Sequence, residues 1–579
     1  MQTLRQINYI FDKKQKIQCI GIFILVLIGS VFELLGVSAI LPLISVVLEP
    51  DIIYENEYCK IVAELFHIQN SGEFVILISV GLCIIYAVKN AYLIISRNIQ
   101  MLFSYDIQKK LSLRLMDFYL HEKYLFHVEH NVAELQRNIG NDVTSFFTTV
   151  TMSMNLLVEG ATCVLLVIFL FIQDVYTTII IVGILLTATV IFLLIYKRLQ
   201  VNYGKIARET TSVKVKWLIQ AFAGIKEIKV MNKEEFFLKN FQEAVIESNR
   251  AGRKSKILST IPKNIMETIC ICSLLFAVCL RIVQGVDFND LVTTLSVFAL
   301  AAIRMLPSFN RITEYLGSVL YNKASVDNVF EDLKEAEQQE QVLELQDKSI
   351  ERLKLNKEIA VYNLTFSYPN TDKKIFDHAS IIIEKNKSVA FVGSSGAGKT
   401  TLADIIIGVL EPQEGEVTVD GIDVFTHLEA WHKTIGYIPQ MIYLMDDTIG
   451  ANIVFGLSGD EIDETKIWKA LERAELADFV RSLPEGIHTE IGDRGVKLSG
   501  GQRQRIGIAR ALYREPEVLI LDEATSALDN ETETAVMQSI ESLHGEITLI
   551  IIAHRLTTIS NCDEVYEVGN AGIHLKEKK

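Results

Sequence analysis

Residues Gly393–Thr400 read GSSGAGKT, which fits G-x-x-x-x-G-K-[ST], a loop that holds a polyphosphate. The backbone N–H groups of Gly393, Ser394, Ser395, Gly396, Ala397 and Gly398 would wrap phosphate oxygens. Lys399 would reach the terminal phosphates, and the Thr400 hydroxyl, followed by Thr401, would hold Mg²⁺. Such a cradle also needs a metal holder and a water activator. Val518–Leu521 (VLIL) is an apolar run suited to a buried strand, and it delivers Asp522 and Glu523 at its C-terminal end, where open α/β sheets place their ligands. Asp522 is the expected Mg²⁺ ligand, and Glu523 the group that orients and polarises the attacking water.

A second phosphate-binding element lies between them. Leu498–Gln502 reads LSGGQ ahead of the helical stretch RQRIGIARAL. Ser499 is a good N-cap, and Gly500 and Gly501, followed by Gln502, let a phosphate approach the positive end of the helix dipole. One chain already carries a complete cradle, so the second helix start predicts a phosphate sandwiched between two copies of the domain.

Around the cradle, Ser388–Val392 (SVAFV) reads as a buried strand. Thr401–Gly408 (TLADIIIG) continues as a helix whose N-terminus faces the anion. From Ile359 onward short β-rich runs alternate with helices, the arrangement of an α/β domain. The earlier half differs. Half of all residues are hydrophobic and mean hydropathy is +0.28, with the apolar residues concentrated before residue 321, so a membrane half precedes a soluble half. Net charge is −15, which excludes nucleic acid as the main partner because a phosphate-backbone binder needs a basic face. The eight cysteines are scattered without CxxC or zinc-ligand spacing and read as small buried hydrophobes.

Six membrane spans are expected, at Ile17–Leu48, Phe74–Ile99, Phe146–Ile172, Thr177–Tyr196, Ile257–Val283 and Leu291–Leu320. Arg5, Lys13, Lys14 and Lys16 before the first put the N-terminus in the cytoplasm. The outer connections are short, apart from an amphipathic stretch at Asp51–Ser71 that is either an interfacial helix or a folded loop. The inner connections, Gln100–Val143 and Lys197–Lys256, are long polar helical hairpins with turns near Tyr124–Asn131 and Gln220–Gly224. The domain reading is 1–333 transmembrane, 334–357 linker, and 358–579 nucleotide-binding.

GSSGAGKT, LSGGQ and LILDEATSALD together resemble the nucleotide-binding domain of ABC transporters. That resemblance implies ATP and Mg²⁺ as ligands and extends the site to four more residues. Tyr368 in FSYP would stack on adenine, and Gln440 in YIPQ would sense Mg²⁺ and the membrane half. Asp529 in SALD would communicate across the dimer, and His554 in IIAHR would contact the γ-phosphate. Every catalytic position is intact (Glu523, His554, Gln440, Lys399), so a homodimer with two competent sites is expected. The six-span plan is similar to exporters with fused membrane and ATPase halves in a bacterial inner membrane. The implied fold is a six-helix transmembrane domain joined to an α/β P-loop domain.

Charges within spans point to the cargo, because an ionisable group at membrane depth is costly unless it faces a cavity or a partner. Lys89 and Arg97 lie in the second span, and Arg304 and Arg311 in the sixth, seven residues apart or roughly 10 Å along one face. They flank Pro307, expected to open the helix. Glu33, Glu159 and Glu267 are candidate counter-ions. Paired arginines would suit pyrophosphate, whereas intramembrane ion pairs would make the same residues structural. FELLGVSAILPLISVV and AAIRMLPSFNRI resemble the bacterial PglK-type flippases of lipid-linked oligosaccharides. The implied cargo is an anionic, lipid-linked amphiphile taken from the bilayer. The rival readings are a multidrug, lipid or peptide exporter and an ATP-gated channel or regulator.

Overall fold

The computed structural model describes residues 2–38, 71–284, 288–343, 352–522, 534, 537–538, 540–552 and 562–576. Asp51–Asn70 of the amphipathic outer stretch lies outside these residues. The chain divides into two compact units, Met1–Glu122 with His127–Leu345, and Lys123–Phe126 with Gln346–Lys579.

The first unit is helical. It comprises α1 (Gln2–Ile10), α2 (Lys13–Ser38), α3 (Ser71–His121), α4 (Tyr124–Glu129), α5 (Val132–Arg137), α6 (Val143–Gln173), α7 (Val175–Ala223), α8 (Ile225–Met231), α9 (Glu234–Val283), α10 (Phe288–Tyr321) and α11 (Lys323–Leu343). The second to fifth expected spans fall on α3, α6, α7 and α9, which among the described residues are long and apolar enough to cross a membrane. The first overlaps α2 up to Ser38, its residues 39–48 lying outside the described residues, and the sixth falls within α10. At 51 residues, α3 is about 75 Å long, far beyond a bilayer core of roughly 30 Å, so it carries a polar extension. Pro307 sits inside an unbroken α10 and Pro262 inside α9. The expected opening at Pro307 does not occur, since one missing N–H is tolerated where neighbouring turns continue the helix.

Three devices fix how these helices meet. Asp174 is the single residue between α6 and α7. It caps α7 by accepting from Tyr176 N and Thr177 N (3.0 and 3.3 Å) and also pairs with Arg281 of α9. Gln200 of α7 is fully buried and donates to Ser255 O (3.1 Å) while accepting from Ser255 Oγ (2.6 Å) on α9. Gly204 lets α7 reach α10, because a Cβ there would lie 1.8 Å from Tyr321 O.

A charged cluster is buried where the polar extensions gather. A π-helical turn, Asn138–Asp142, joins α5 to α6 and presents Asp142, which is 2% exposed. Its carboxylate accepts from Arg208 Nε of α7 (2.9 Å) and Ser325 Oγ of α11 (2.7 Å), with Arg137 Nε at 3.5 Å. Asp332 of α11 accepts from Tyr119 Oη of α3 (2.5 Å), Asn138 (3.2 Å) and Asn328 (3.1 Å). The second inner hairpin breaks at Gly224 and turns at Asn232, whose φ is 52°. The expected linker begins as helix, since Lys334–Leu343 completes α11.

The second unit holds two sheets. One is antiparallel, in the order β2 (Lys374–Glu384), β1 (Glu358–Ser367), β4 (Glu414–Val419), β5 (Ile422–Asp423). The other runs β10 (Gly572–Leu575), β9 (Glu564–Gly569), β3 (Ser388–Val392), β8 (Thr548–Ile552), β7 (Val518–Asp522), β6 (Ile435–Ile438), parallel from β9 to β6. Alternate residues of β3, β7 and β8 enter cores on opposite faces. Ala390, Leu519 and Ile551 pack with one set, Phe391, Ile520 and Ile550 with the other. Burial on both faces is why these strands read as continuous apolar runs. Leu125 packs against the second of these cores, and Lys123 Nζ pairs with Glu411 at 2.5 Å.

Candidate functional site

The parallel strands end along one edge, and the sequence-predicted residues follow their ends. β3 runs into Gly393–Thr400 and then α12 (Lys399–Ile407). Gly393 has φ 149°, and a Cβ there would stand 2.3 Å from Val568 O; Gly398 has φ 104°, and its Cβ would stand 2.7 Å from Ile375. Both positions need glycine for the loop to turn against β9 and β2. Lys399 Nζ donates to Gly393 O (3.1 Å) and Ser394 O (3.0 Å), so the loop curls around its own ammonium. That geometry concentrates positive charge where backbone N–H groups converge.

β7 brings Asp522, 3% exposed, to the same place, with Oδ1 3.3 Å from Thr400 Oγ1. A buried carboxylate beside a hydroxyl is an oxygen donor set suited to a hard divalent cation. Asp522, Thr400 and the Gln440 amide oxygen would hold Mg²⁺, which when bound neutralises phosphate charge. Behind them burial, and then the charge of Asp522, push the Asp404 carboxyl up to about 6. Gln440 follows β6, which pairs with β7 in the register Ile438↔Leu521. Tyr368 is half-buried, with Oη 3.1 Å from Thr401 Oγ1 in the first turn of α12 and its ring edge-on to Phe366. Glu523, Asp529 and His554 lie outside the described residues, Glu523 directly after Asp522 and His554 two residues past β8.

Short helices α13 (Ile449–Val454), α14 (Glu464–Arg473) and α15 (Ala477–Ser482) support α16 (Gly500–Tyr513). Ser499 caps α16. Its Oγ accepts from Gln502 N (3.2 Å), and Gln502 Oε1 accepts from Ser499 N (2.8 Å), a complete capping box. Only a lone pair of Ser499 is used, so its hydroxyl hydrogen can be donated outward beside the N–H groups of Gly500 and Gly501. Ser499 is exposed on the surface of its unit. Ile442, two residues after Gln440, packs on α16 at Gly507, where a Cβ would lie 2.4 Å from its Cδ1.

In the helical unit the four cationic candidates separate. Arg311 forks onto Glu159 of α6, with Nε–Oε1 at 2.5 Å and Nη2–Oε2 at 3.2 Å, and also donates to Ser308. Its charge is therefore compensated by one of the named counter-ions, the ion-pair alternative of the two readings given for it. Lys89 is 7% exposed with Nζ 5.0 Å over the Tyr86 ring. Arg97 does line a cavity of about 610 Å³ between α2, α3, α6 and α10. The side chain of Arg304 lies outside the described set.

The walls of that cavity are polar in a way charge-counting missed. Gln100 donates to Asn155 (3.2 Å), Ser104 meets Thr151 (3.2 Å), and Gln108 donates to Thr144 (3.0 Å), a ladder between α3 and α6. The spacing of four on α3 was the available signal.

Comparison with known proteins agrees with this build. The description "ABC transporter" matches residues 376–526, and "ABC transporter transmembrane region" matches residues 19–303. An ATP-dependent lipid A-core flippase of Cupriavidus metallidurans is 30% identical over 79% of this chain and 76% of its own length. The chain belongs to the ABC transporters, with membrane and ATPase regions fused. The heterocyst differentiation ATP-binding protein HepA of Nostoc sp. is 35% identical over 60% of this transporter. The match spans 56% of the Nostoc protein's length, just over half. A bacterial Atm1-family ABC exporter solved with ATP bound superposes with a TM-score of 0.73, covering 98% of this chain and 95% of that one at 21% identity. That likeness establishes an exporter-type fold.

Proposed function

We propose that this transporter is one half of a homodimeric ATP-driven flippase of the inner membrane that moves a polyprenyl-pyrophosphate oligosaccharide outward. The observation that carries the cargo reading is the polar cavity with Arg97 in its wall, on a chain whose soluble unit builds a phosphate cradle. Relatives named for flipping lipid A-core support a lipid bearing a large polar head. Lys399 and the loop N–H groups bind the ATP phosphates, and Glu523 holds the attacking water in line and takes its proton. His554 contacts the γ-phosphate. Ser499 and the start of α16 complete the opposite copy's site, and Asp529 communicates across the dimer. Tyr368 positions the adenine. The turn at Lys123–Phe126, which groups with the soluble unit, and the turn at Gly224–Lys233 are the elements that pass closure to the helices.

The test is ATP-dependent flipping of a fluorescent polyprenyl-pyrophosphate glycan in proteoliposomes. Wild type should flip it, Glu523→Gln should bind ATP without flipping, and Arg97→Gln should retain ATPase while losing transport. An active wild-type ATPase that flips no such lipid would refute the cargo.

A further inference from the structure

A second cavity follows the first, polar one in register along α6 and α10. Along α6, one turn beyond Glu159 toward Gln173, the same helix enters a second cavity of about 280 Å³, starting at Cys163 and reaching Leu170. Along α10, Tyr315 lines the polar cavity, whereas Ile312, Phe309 and Met305 line the second. The two spaces therefore follow one another along the α6–α10 seam, and the Glu159–Arg311 pair stands where one gives way to the other. Their walls differ, mixed polar and apolar in the first and apolar in the second. The first offers the amide and hydroxyl ladder and Arg97. The second is closed by α7 and α9 with Leu185, Met266 and Leu274 and is almost wholly apolar.

From this succession of differently lined cavities along one seam we infer that the seam is a bipartite site for a single amphiphile. Its glycan lies on the α3–α6 ladder, its phosphate at Arg97, and the head-proximal part of its hydrocarbon chain in the apolar cavity. The inference rests on the proposed flippase function and adds where each part of the lipid is read. Sugar hydroxyls can exchange with the ladder's side-chain hydrogen bonds, each weak on its own between membrane helices. The chain enters the apolar cavity from lipid hydrocarbon that is equally apolar, so the cavity selects it by van der Waals packing and shape. Glu159 compensates the charge of Arg311, so it is a positioning residue that leaves Arg97 as the phosphate contact.

The test measures ATPase stimulation of the full chain in nanodiscs by three probes: a long-chain polyprenyl-pyrophosphate disaccharide, the same lipid without sugar, and a two-isoprene pyrophosphate disaccharide. Wild type should respond to the first at the lowest concentration. Asn155→Leu should raise the half-stimulating concentration of the long glycosylated lipid about tenfold, one hydrogen-bonded contact, and leave the sugar-free lipid unmoved. Leu274→Trp, which fills the apolar cavity, should raise it about tenfold for long chains and leave the short-chain probe unmoved. The milder Asn155→Ala and Leu274→Phe should follow in the same direction should either first variant fail to fold. Shifts equal across all probes, or no shift, overturn the bipartite site while leaving the flippase reading intact. A wild type deaf to all three overturns both.

Discussion

Replacing Asp142 by Asn tests whether the helical unit is held by its buried charge cluster. The Asp142 carboxylate is 2% exposed, and it balances Arg208 at 2.9 Å and Arg137 at 3.5 Å. Burial, followed by repulsion from Arg208, already pulls the Arg137 guanidinium below its ordinary value. An amide keeps the shape and can still accept from Ser325, but it leaves two guanidinium groups without their shared counter-ion. Removing one partner of a buried pair costs about 3–5 kcal/mol. The Arg208 side chain is 19% exposed and so retains some hydration, which places the expected loss near the lower end, about 3 kcal/mol, or roughly a hundredfold in the unfolding equilibrium. Titration with a denaturing detergent, followed by helical circular dichroism, reads this directly. Adding Arg208→Gln to Asp142→Asn should restore at least about 1.5 kcal/mol, because the orphaned cation is removed with its partner. A loss below about 1 kcal/mol, or a strictly additive double variant, would refute the claim that the cluster is a charge-balanced unit.

Other expectations follow from single contacts. Burial raises the Asp332 carboxyl above 3.8; the unfolded chain ionises first as pH rises, so the folded form loses stability upward from about pH 4. Asp332→Asn should therefore leave the thermal midpoint unchanged below pH 4 and raise it at pH 7, and parallel pH profiles for variant and wild type would contradict this. Gly393→Ala forces a Cβ to 2.3 Å from Val568 O at φ 149°; strain of about 1–3 kcal/mol should weaken ATP binding tenfold or more in a filter or fluorescence assay, and unaltered affinity would show the loop to be pliable. Ser499→Ala removes the cap of α16 at about 1 kcal/mol. Amide exchange in Gly500–Arg503 should speed up about fivefold while ATP still binds, and under the proposed two-copy site ATPase turnover should fall; turnover at the wild-type level would separate Ser499 from the site.

What the sequence disclosed depended on how locally each feature is determined. Gly393, Gly398 and Lys399 are dictated by backbone geometry within a few residues, so the loop could be read letter by letter. The same is true of Ser499 and Gln502, whose reciprocal bonds span three residues. β3 and β7 were legible because burial on both faces leaves no polar alternation to confuse. The membrane half was harder, since its decisive contacts join distant residues. Arg311 and Glu159 are 152 positions apart, and no window shows that one cancels the other. Lys89 reads as a charge within a span, yet it is absorbed by packing over Tyr86. The π turn at Asn138–Asp142 leaves no sequence signal, although it is what aims Asp142 inward.

These observations converge on α6. Its first turn follows Asp142 and is tied to α7 and α11 through that carboxylate. Its next turns carry Thr144, Thr151 and Asn155 of the ladder, then Glu159, and then Cys163 and Leu170 of the apolar cavity. A hydrogen-bonded helix transmits a shift of its end along its axis with little loss, whereas a π turn adds a residue to the hydrogen-bonded loop and yields more easily. Displacement entering α6 at Asp142 thus reaches the ladder and the apolar cavity together, moving both halves of an amphiphile site as one body. The Asp142 cluster and the cargo walls should then be energetically coupled through α6. Asp142→Asn at permissive temperature should lower the transport-to-hydrolysis ratio while leaving ATP affinity unchanged. A ratio that stays at the wild-type value in a destabilised but folded protein would confine the cluster to stability alone.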